Sequence, residues 1–130
     1  MNAPREGLRL SVLGRQMAVC RLDPTARVPD WATTNGLFSV TRTPDELSVV
    51  CPQASVPEGV ERERGWCVLK LEGPFEFSEV GVLASVTAPL AEAGVGIFAV
   101  STFDTDYVLV KEEQLDPAVA ALRGWSHEVL

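Results

Sequence analysis

Two acidic residues in one short turn are the side chains of this sequence best placed to bind a charged ligand. Asp104 and Asp106 lie in the turn Thr102–Asp106, between the predicted strands Ile97–Ser101 and Tyr107–Lys111. Ionised carboxylates accept hydrogen bonds from an ammonium or guanidinium group. Aspartate is also a common turn former through its own backbone hydrogen bonds. The turn alone therefore leaves a binding role and a structural role open.

The predicted start of a helix favours a negatively charged group of a ligand, whereas the acidic turn favours a positively charged one. The pattern predicts a helix over Ser78–Gly94, with Ser78 as N-cap and Gly94 as the C-terminal stop. Unpaired N–H groups at a helix start favour a carboxylate, and Gly81 would let a ligand approach the backbone closely. Glu79 at the same helix start would repel that carboxylate if its side chain pointed inward. Ser78 could also serve only as a cap.

Motifs for catalysis, metals and cofactors are missing from the sequence. It has no Walker loop, GxGxxG, HExxH or GxSxG segment, and it has a single histidine, His127. Cys20, Cys51 and Cys67 form no CxxC pair, so we expect buried free thiols in a reducing compartment. We therefore expect no enzyme activity, no metal site and no cofactor.

Composition narrows the class of partner. The chain has 130 residues, a net charge of −7 and 46% hydrophobic residues, enough for a packed core. Its acidic balance argues against nucleic acid and an anionic membrane surface as partners, because both need a basic face. Met1–Gly7 has no apolar segment typical of a signal peptide, and no apolar run reaches transmembrane length. We expect a soluble cytoplasmic protein.

The second half of the chain predicts a specific order of elements. From Trp66 onward, strands and helices alternate as β-α-β-β-α-β, and Pro89 is expected to kink the first helix. This is the ferredoxin-like order, an α+β fold with two helices on one face of an antiparallel sheet. The remaining predicted elements are the strand Trp66–Leu71, the helix Pro117–Arg123 and the strand Ser126–Leu130.

The first half predicts shorter elements. Leu8–Val12 and Met17–Leu22 are expected to form a hairpin, and Asp23-Pro24 is a start signal for a short helix. Leu37–Thr41 and Glu46–Cys51 form a second strand pair, and Pro52–Arg64 is predicted to be a linker.

The sequence also repeats itself once. Without a gap, Leu37–Val50 aligns with Ile97–Val110, and each copy is a strand, an acidic turn and a strand. Amphipathic hairpins resemble one another by patterning alone, so duplication and coincidence both remain open. On the duplication hypothesis the chain divides into an N-terminal subdomain, 1–57, and a C-terminal domain, 58–130.

Three segments carry a resemblance to a known family. Gly81–Ser85, Pro89–Gly94 and Ile97–Val110, which includes Ser-Thr-Phe-Asp-Thr-Asp-Tyr, resemble the small bacterial tandem ACT-domain proteins. Those are similar to the arginine-sensor ACT family and are often labelled aspartate-kinase-like. The resemblance is strong over Trp66–Leu130 and weaker over Leu8–Pro52.

The resemblance implies a βαββαβ ACT domain preceded by a compact, partial ACT-like copy. It further implies an amino-acid-binding regulatory protein in which the turn and the helix start face each other across the ligand. The ligand contacts that it implies are Gly81, Val82, Thr102, Phe103, Asp104, Thr105 and Asp106. The expected partners are a small amino acid of unknown identity and either a second copy of the chain or a regulated protein. The alternative is a ligand-independent interaction or oligomerisation module built on the sheet edge.

Overall fold

The computed structural model describes residues 7–34 and 36–130. In chain order its longer elements are β1 (Arg9–Val12), β2 (Met17–Leu22), β3 (Ser39–Arg42), β4 (Leu47–Pro52), β5 (Arg62–Leu71), α1 (Ala84–Glu92), β6 (Ile97–Ser101), β7 (Asp106–Lys111), α2 (Leu115–Gly124) and β8 (Glu128–Val129). Short 3-10 turns lie at Asp30–Thr33, Gln53–Ser55 and Glu112–Gln114. Within the described residues no helix is long and apolar enough to cross a membrane.

The backbone divides into two compact units. The larger unit contains the chain up to Gly14 together with Cys67–Leu130, and the smaller unit is Arg15–Trp66. The sequence predicts a boundary between residues 57 and 58, which assigns the first strand to the N-terminal subdomain. In the structure that strand groups with the larger unit, because its hydrogen-bonded partners lie there.

The larger unit is a sheet with the strand order β6-β7-β5-β1-β8. β1 pairs antiparallel with β5, with Leu10 opposite Leu71, and parallel with β8. The predicted hairpin between the first two strands is therefore wrong, since the partners of β1 are β5 and β8. The predicted α+β class with two helices and an antiparallel strand pair is confirmed.

A single apolar cluster joins the helices to this sheet. Val86 and Leu90 of α1 and Ala118 and Leu122 of α2 are fully buried against it. The strands contribute every second residue, as the two-residue period of a sheet requires. Those strand residues are Leu10, Leu69, Leu71, Val108, Val110 and Val129.

The first helix is shorter than the sequence predicts. Helix α1 starts at Ala84 instead of Ser78, and it ends at Glu92. Gly81 has φ +84°, a conformation that no helical residue adopts, so the helix cannot extend back through it. Ser78 lies in a separate turn, and its predicted N-cap role is wrong.

The smaller unit is built from β3, β4, β2 and the first residues of β5. β2 lies antiparallel between β4 and β5, with Cys20 opposite Val49 and Arg62. Asp23 accepts hydrogen bonds from the N–H and hydroxyl of Thr25, which makes a turn where a helix is predicted. Its small core is formed by Ala18, Cys20, Ala32, Leu47, Val49 and Cys51.

The two repeated hairpins agree in kind and differ in register. β3 and β4 close on the pair Arg42 and Leu47, whereas β6 and β7 close on Ser101 and Asp106. Both turns have four residues, yet the second begins one position earlier than the gap-free alignment requires. The turn that carries Asp104 is therefore not the direct counterpart of the turn at Pro44–Glu46.

The three cysteines are buried free thiols, as predicted. Burial, followed by the neighbouring Cys51, raises the pKa of Cys20 to about 11, and burial raises the pKa of Cys51 and Cys67 above the ordinary value of 9.0. We expect native protein at neutral pH to react with a disulfide reagent much more slowly than denatured protein, because the thiolate is the nucleophile. Because the pKa of the Cys20 thiol is higher in the native than in the unfolded protein, keeping this thiol protonated stabilises the native state. That stabilisation is complete below pH 9.0 and is lost as the pH rises toward 11.

Thiol titration with and without denaturant checks this prediction. Equal reaction rates in the two conditions would show that the strands around Cys20 and Cys51 open readily. A melting temperature that is unchanged between neutral pH and strongly alkaline pH would contradict the pKa shifts.

Candidate functional site

A cavity of about 340 Å³ lies between two segments of the larger unit, 75–84 and 101–106. Its volume is within the range of small-molecule sites. The first segment connects β5 to α1, and the second is the end of β6 with its turn into β7. The structure brings all of the predicted contact residues to this one cavity, namely Gly81, Val82, Thr102, Phe103, Asp104, Thr105 and Asp106.

Hydrogen bonds attach the acidic turn to the end of β5 and to the segment that follows it. The Thr105 hydroxyl donates to the Leu71 carbonyl at 2.6 Å, and Thr105 is 8% exposed. The Thr102 N–H donates to the Thr105 carbonyl at 2.8 Å, and the Phe75 N–H donates to the Asp104 carbonyl at 2.8 Å. The Thr105 hydrogen bond is buried and therefore costly to break, so it holds the turn against the end of β5.

The start of α1 faces the cavity from the other side. The N–H and hydroxyl of Ser85 both donate to the Gly81 carbonyl, at 2.9 and 2.5 Å. The N–H groups of Val82, Leu83 and Ala84 precede this first helical bond, so they have no intrahelical acceptor. The helix dipole adds positive potential at the same place. This part of the cavity therefore favours an anionic group.

The charged side chains of the lining are all acidic. Glu76, Glu79, Asp104 and Asp106 line the cavity, and no lysine, arginine or histidine is among its described lining residues. Glu79, which the sequence suggests could repel a carboxylate, accepts a hydrogen bond from the Glu76 N–H at 2.7 Å. Asp106 accepts one from the Ser101 hydroxyl. The lining therefore favours a ligand with net positive charge.

Sequence reasoning missed the segment before the helix. Phe75, Glu76 and Phe77 line the cavity, and Phe77 contacts Phe103 across its mouth with ring centroids 4.7 Å apart. Both rings of this pair are 76% exposed. The alternation of aromatic and acidic residues after Pro74 was the available signal, but a loop pattern does not indicate which face it presents.

Among the described residues, no group of three or more His, Cys, Asp or Glu side chains could hold a metal ion. His127 is buried, as expected for a structural residue, and it does not line the cavity.

Two family models match two separate parts of the chain. A family model described as ACT domain matches residues 61–124, and a second model, for an N-terminal domain, matches residues 15–59. The X-ray structure of protein Atu0741 from Agobacterium tumefaciens is 39% identical, with a TM-score of 0.92 over 97% of this chain and 94% of that one. Residues 61–124 of the chain belong to the ACT-domain family. The resemblance stated from its sequence is therefore confirmed.

This ACT protein is also similar to a protein named as an arginine sensor and, in fold, to one named as a regulatory subunit. The Bos taurus cytosolic arginine sensor for mTORC1 subunit 1 is 31% identical over 96 residues, which cover 65% of this chain and 29% of that protein. The ACT protein thus spans less than a third of that relative. The regulatory subunit of aspartate kinase from Thermus thermophilus has a TM-score of 0.57 at 13% identity, covering 87% of this chain and 97% of that one, and it shows the fold alone.

Proposed function

We propose that this ACT protein is an amino-acid-binding regulatory module, that it catalyses no reaction, and that its ligand binds in the cavity between 75–84 and 101–106. One observation carries the proposal. Seven residues in two separate stretches of sequence meet around a single cavity of suitable size. The name of the Bos taurus relative, an arginine sensor, supports a sensing role.

The lining matches both charges of an amino acid. A ligand carboxylate fits against the N–H groups of Val82, Leu83 and Ala84 at the start of α1. The α-ammonium fits near Asp104 or Asp106, on the opposite wall. Gly81 lines the cavity without a side chain, so the ligand backbone can lie close to the chain there.

The excess of carboxylates points to a basic side chain on the ligand. A zwitterion neutralises none of the net charge of Glu76, Glu79, Asp104 and Asp106, whereas a basic amino acid brings an additional cation. The exposed rings of Phe77 and Phe103 flank the mouth, where a guanidinium could stack on an aromatic face. We therefore expect arginine, lysine or ornithine to bind more tightly than neutral or acidic amino acids.

A melting screen of the common amino acids tests the proposal. A ligand at ten times its Kd stabilises the native state by about 1.4 kcal/mol. For a chain of this size that raises the melting temperature by roughly 5 °C. Agmatine, which lacks the carboxylate of arginine, should give a smaller shift than arginine if the start of α1 binds that group.

Absence of any shift at millimolar concentration would contradict amino-acid binding. Larger shifts with glutamate than with arginine would contradict the charge argument. Phosphorylation of aspartate by ATP in the presence of the purified protein would contradict the non-catalytic assignment.

The second candidate function is a ligand-independent interaction module. Its supporting observation is β6, which pairs only with β7 among the described strands of its unit and leaves its other edge open. Ile97, Ala99 and Ser101 are exposed on this strand. Open strand edges pair readily with another chain, either a second copy or a regulated protein. Light scattering that shows an oligomer unchanged by every amino acid would favour this function.

A further inference from the structure

A second cavity, of about 330 Å³, lies on the other side of the acidic turn. Its walls come from the end of β5 with the residues just after it, and from the same turn and the start of β7. Pro74 lines the second cavity and Phe75 lines the first, so the chain passes from one cavity to the other between these two residues. At that point the Phe75 N–H donates to the Asp104 carbonyl, and a Cβ on Gly73 would lie 3.0 Å from the same oxygen. This main-chain contact separates the two cavities.

The second cavity contains the cation that the first cavity lacks. Lys70 projects from β5 and is half-buried, and the chain has only one other lysine, Lys111. Tyr107, also half-buried, contributes a phenol. Neither the Lys70 ammonium nor the Tyr107 hydroxyl has a hydrogen bond or ion pair with another described residue. Both groups can therefore donate to an incoming anion.

Acceptors lie in the same lining. Glu72 and Asp104 contribute carboxylates, and Glu72 already accepts the hydroxyl of Ser11 at 2.5 Å. A carboxylate accepts several hydrogen bonds at once, so this contact leaves Glu72 able to accept another. Lys70, Glu72 and Asp104 together carry one positive and two negative charges. The lining thus carries a net charge of −1, against −4 for the first cavity with its four carboxylates.

From this arrangement we propose that the second cavity is a binding site for a small neutral amino-acid zwitterion. The ligand carboxylate pairs with Lys70 and the Tyr107 hydroxyl, and its ammonium pairs with Asp104 and Glu72. This site has its own donors, so it does not depend on the ligand proposed for the first cavity. Asp104 lines both cavities, and a ligand in either one will compete for its carboxylate.

Glycine is the probe that tests the site, with acetate and methylammonium as half-ligands. We expect titration of the full-length protein with glycine, followed by amide NMR, to shift the signals of Lys70, Glu72 and Tyr107 more than those of Val82 and Leu83. Acetate and methylammonium should each bind at least about 10-fold more weakly than glycine, because each lacks one charged contact.

Matched lysine variants distinguish the loss of a ligand contact from a general effect on the fold. Lys70→Met should weaken glycine binding at least about 10-fold, since it removes a hydrogen bond to a charged group. Lys70→Arg should restore much of that loss. Lys111→Met, the same change at the other lysine, lies outside both cavities and should leave glycine binding unchanged.

Three results would overturn the second site. They are the absence of glycine-dependent shifts at millimolar concentration, shifts confined to Val82 and Leu83, and equal binding of acetate and glycine. The first two refute the cavity as a site, and the third refutes a zwitterion as its ligand. None of these results refutes the binding of basic amino acids in the first cavity, which the melting screen measures.

Discussion

Replacing His127 with alanine is expected to lower the free energy of unfolding by about 3 kcal/mol. The ring is 4% exposed, and both of its nitrogens are hydrogen-bonded. Nδ1 lies 3.2 Å from the Leu8 N–H and accepts its hydrogen, so the ring proton is on Nε2, which donates to the Ser85 carbonyl at 2.8 Å. Alanine would leave a buried N–H and a buried carbonyl unsatisfied and would open a void.

Two further variants divide this loss between the two contacts. His127→Asn can keep the acceptor for the Leu8 N–H, and His127→Gln can keep the donor for the Ser85 carbonyl, so each should lose less stability than alanine. Glu128→Ala is the control, because its ion pair with Arg9 is exposed and should contribute well under about 1 kcal/mol. Denaturant unfolding measures the free energy of unfolding of the three His127 variants and of the control. An alanine variant as stable as the parent would mean that water replaces both hydrogen bonds.

His127 also bears on the proposed ligand site. Ser85, whose carbonyl it binds, donates twice to the Gly81 carbonyl at the cavity wall. Loss of the imidazole therefore removes one of the hydrogen bonds that position Ser85 at the start of α1. We expect weaker binding of any ligand in the first cavity as a consequence of the stability loss.

Replacing Asp106 with asparagine is expected to weaken the binding of a basic amino acid by about 10- to 100-fold. The substitution keeps an oxygen that can accept the Ser101 hydroxyl but removes the negative charge at the cavity. A hydrogen bond between two charged groups is about twice as strong as a neutral one. Asp106 lines the first cavity and not the second, so the substitution should affect binding in the first cavity only.

Calorimetric titration with arginine or lysine measures this effect. Asp116→Asn, the same change at an exposed position on α2, is the control and should leave the Kd unchanged. Asp104→Asn should weaken binding in both cavities, since it lines both. If Asp106→Asn binds as tightly as the parent protein, the ligand cation lies elsewhere and the orientation proposed for the ligand is wrong.

Local pattern was a good guide to several elements and a poor guide to their partners. Alternation of apolar residues predicted Met17–Leu22 and Ile97–Ser101 with the bounds that the structure has. The same alternation in β1 did not reveal that β5 and β8 flank it. A two-residue period determines which face of a strand is buried, but any strand with a suitable face can satisfy it.

The helix start shows a second limit of local reasoning. Ser78 followed by Glu79 has the composition of a capped helix, and nothing nearby in sequence contradicts that interpretation. The left-handed conformation of Gly81 moved the start to Ala84. Glycine permits this conformation but does not require it. The local sequence therefore did not determine where the helix begins.

The sequence by itself determined the family, the α+β class and four residues of the acidic turn, because these depend on residue types and short-range order. The fifth residue of the predicted turn, Asp106, begins β7 instead. Only the tertiary structure decided that this turn and the start of α1 enclose one cavity, and that the same turn forms the wall of another. The physical reason is that both cavities depend on contacts between distant residues, such as Thr105 with Leu71 and Phe75 with Asp104. Such contacts form only when the sheet assembles, and no period or motif in the chain encodes them.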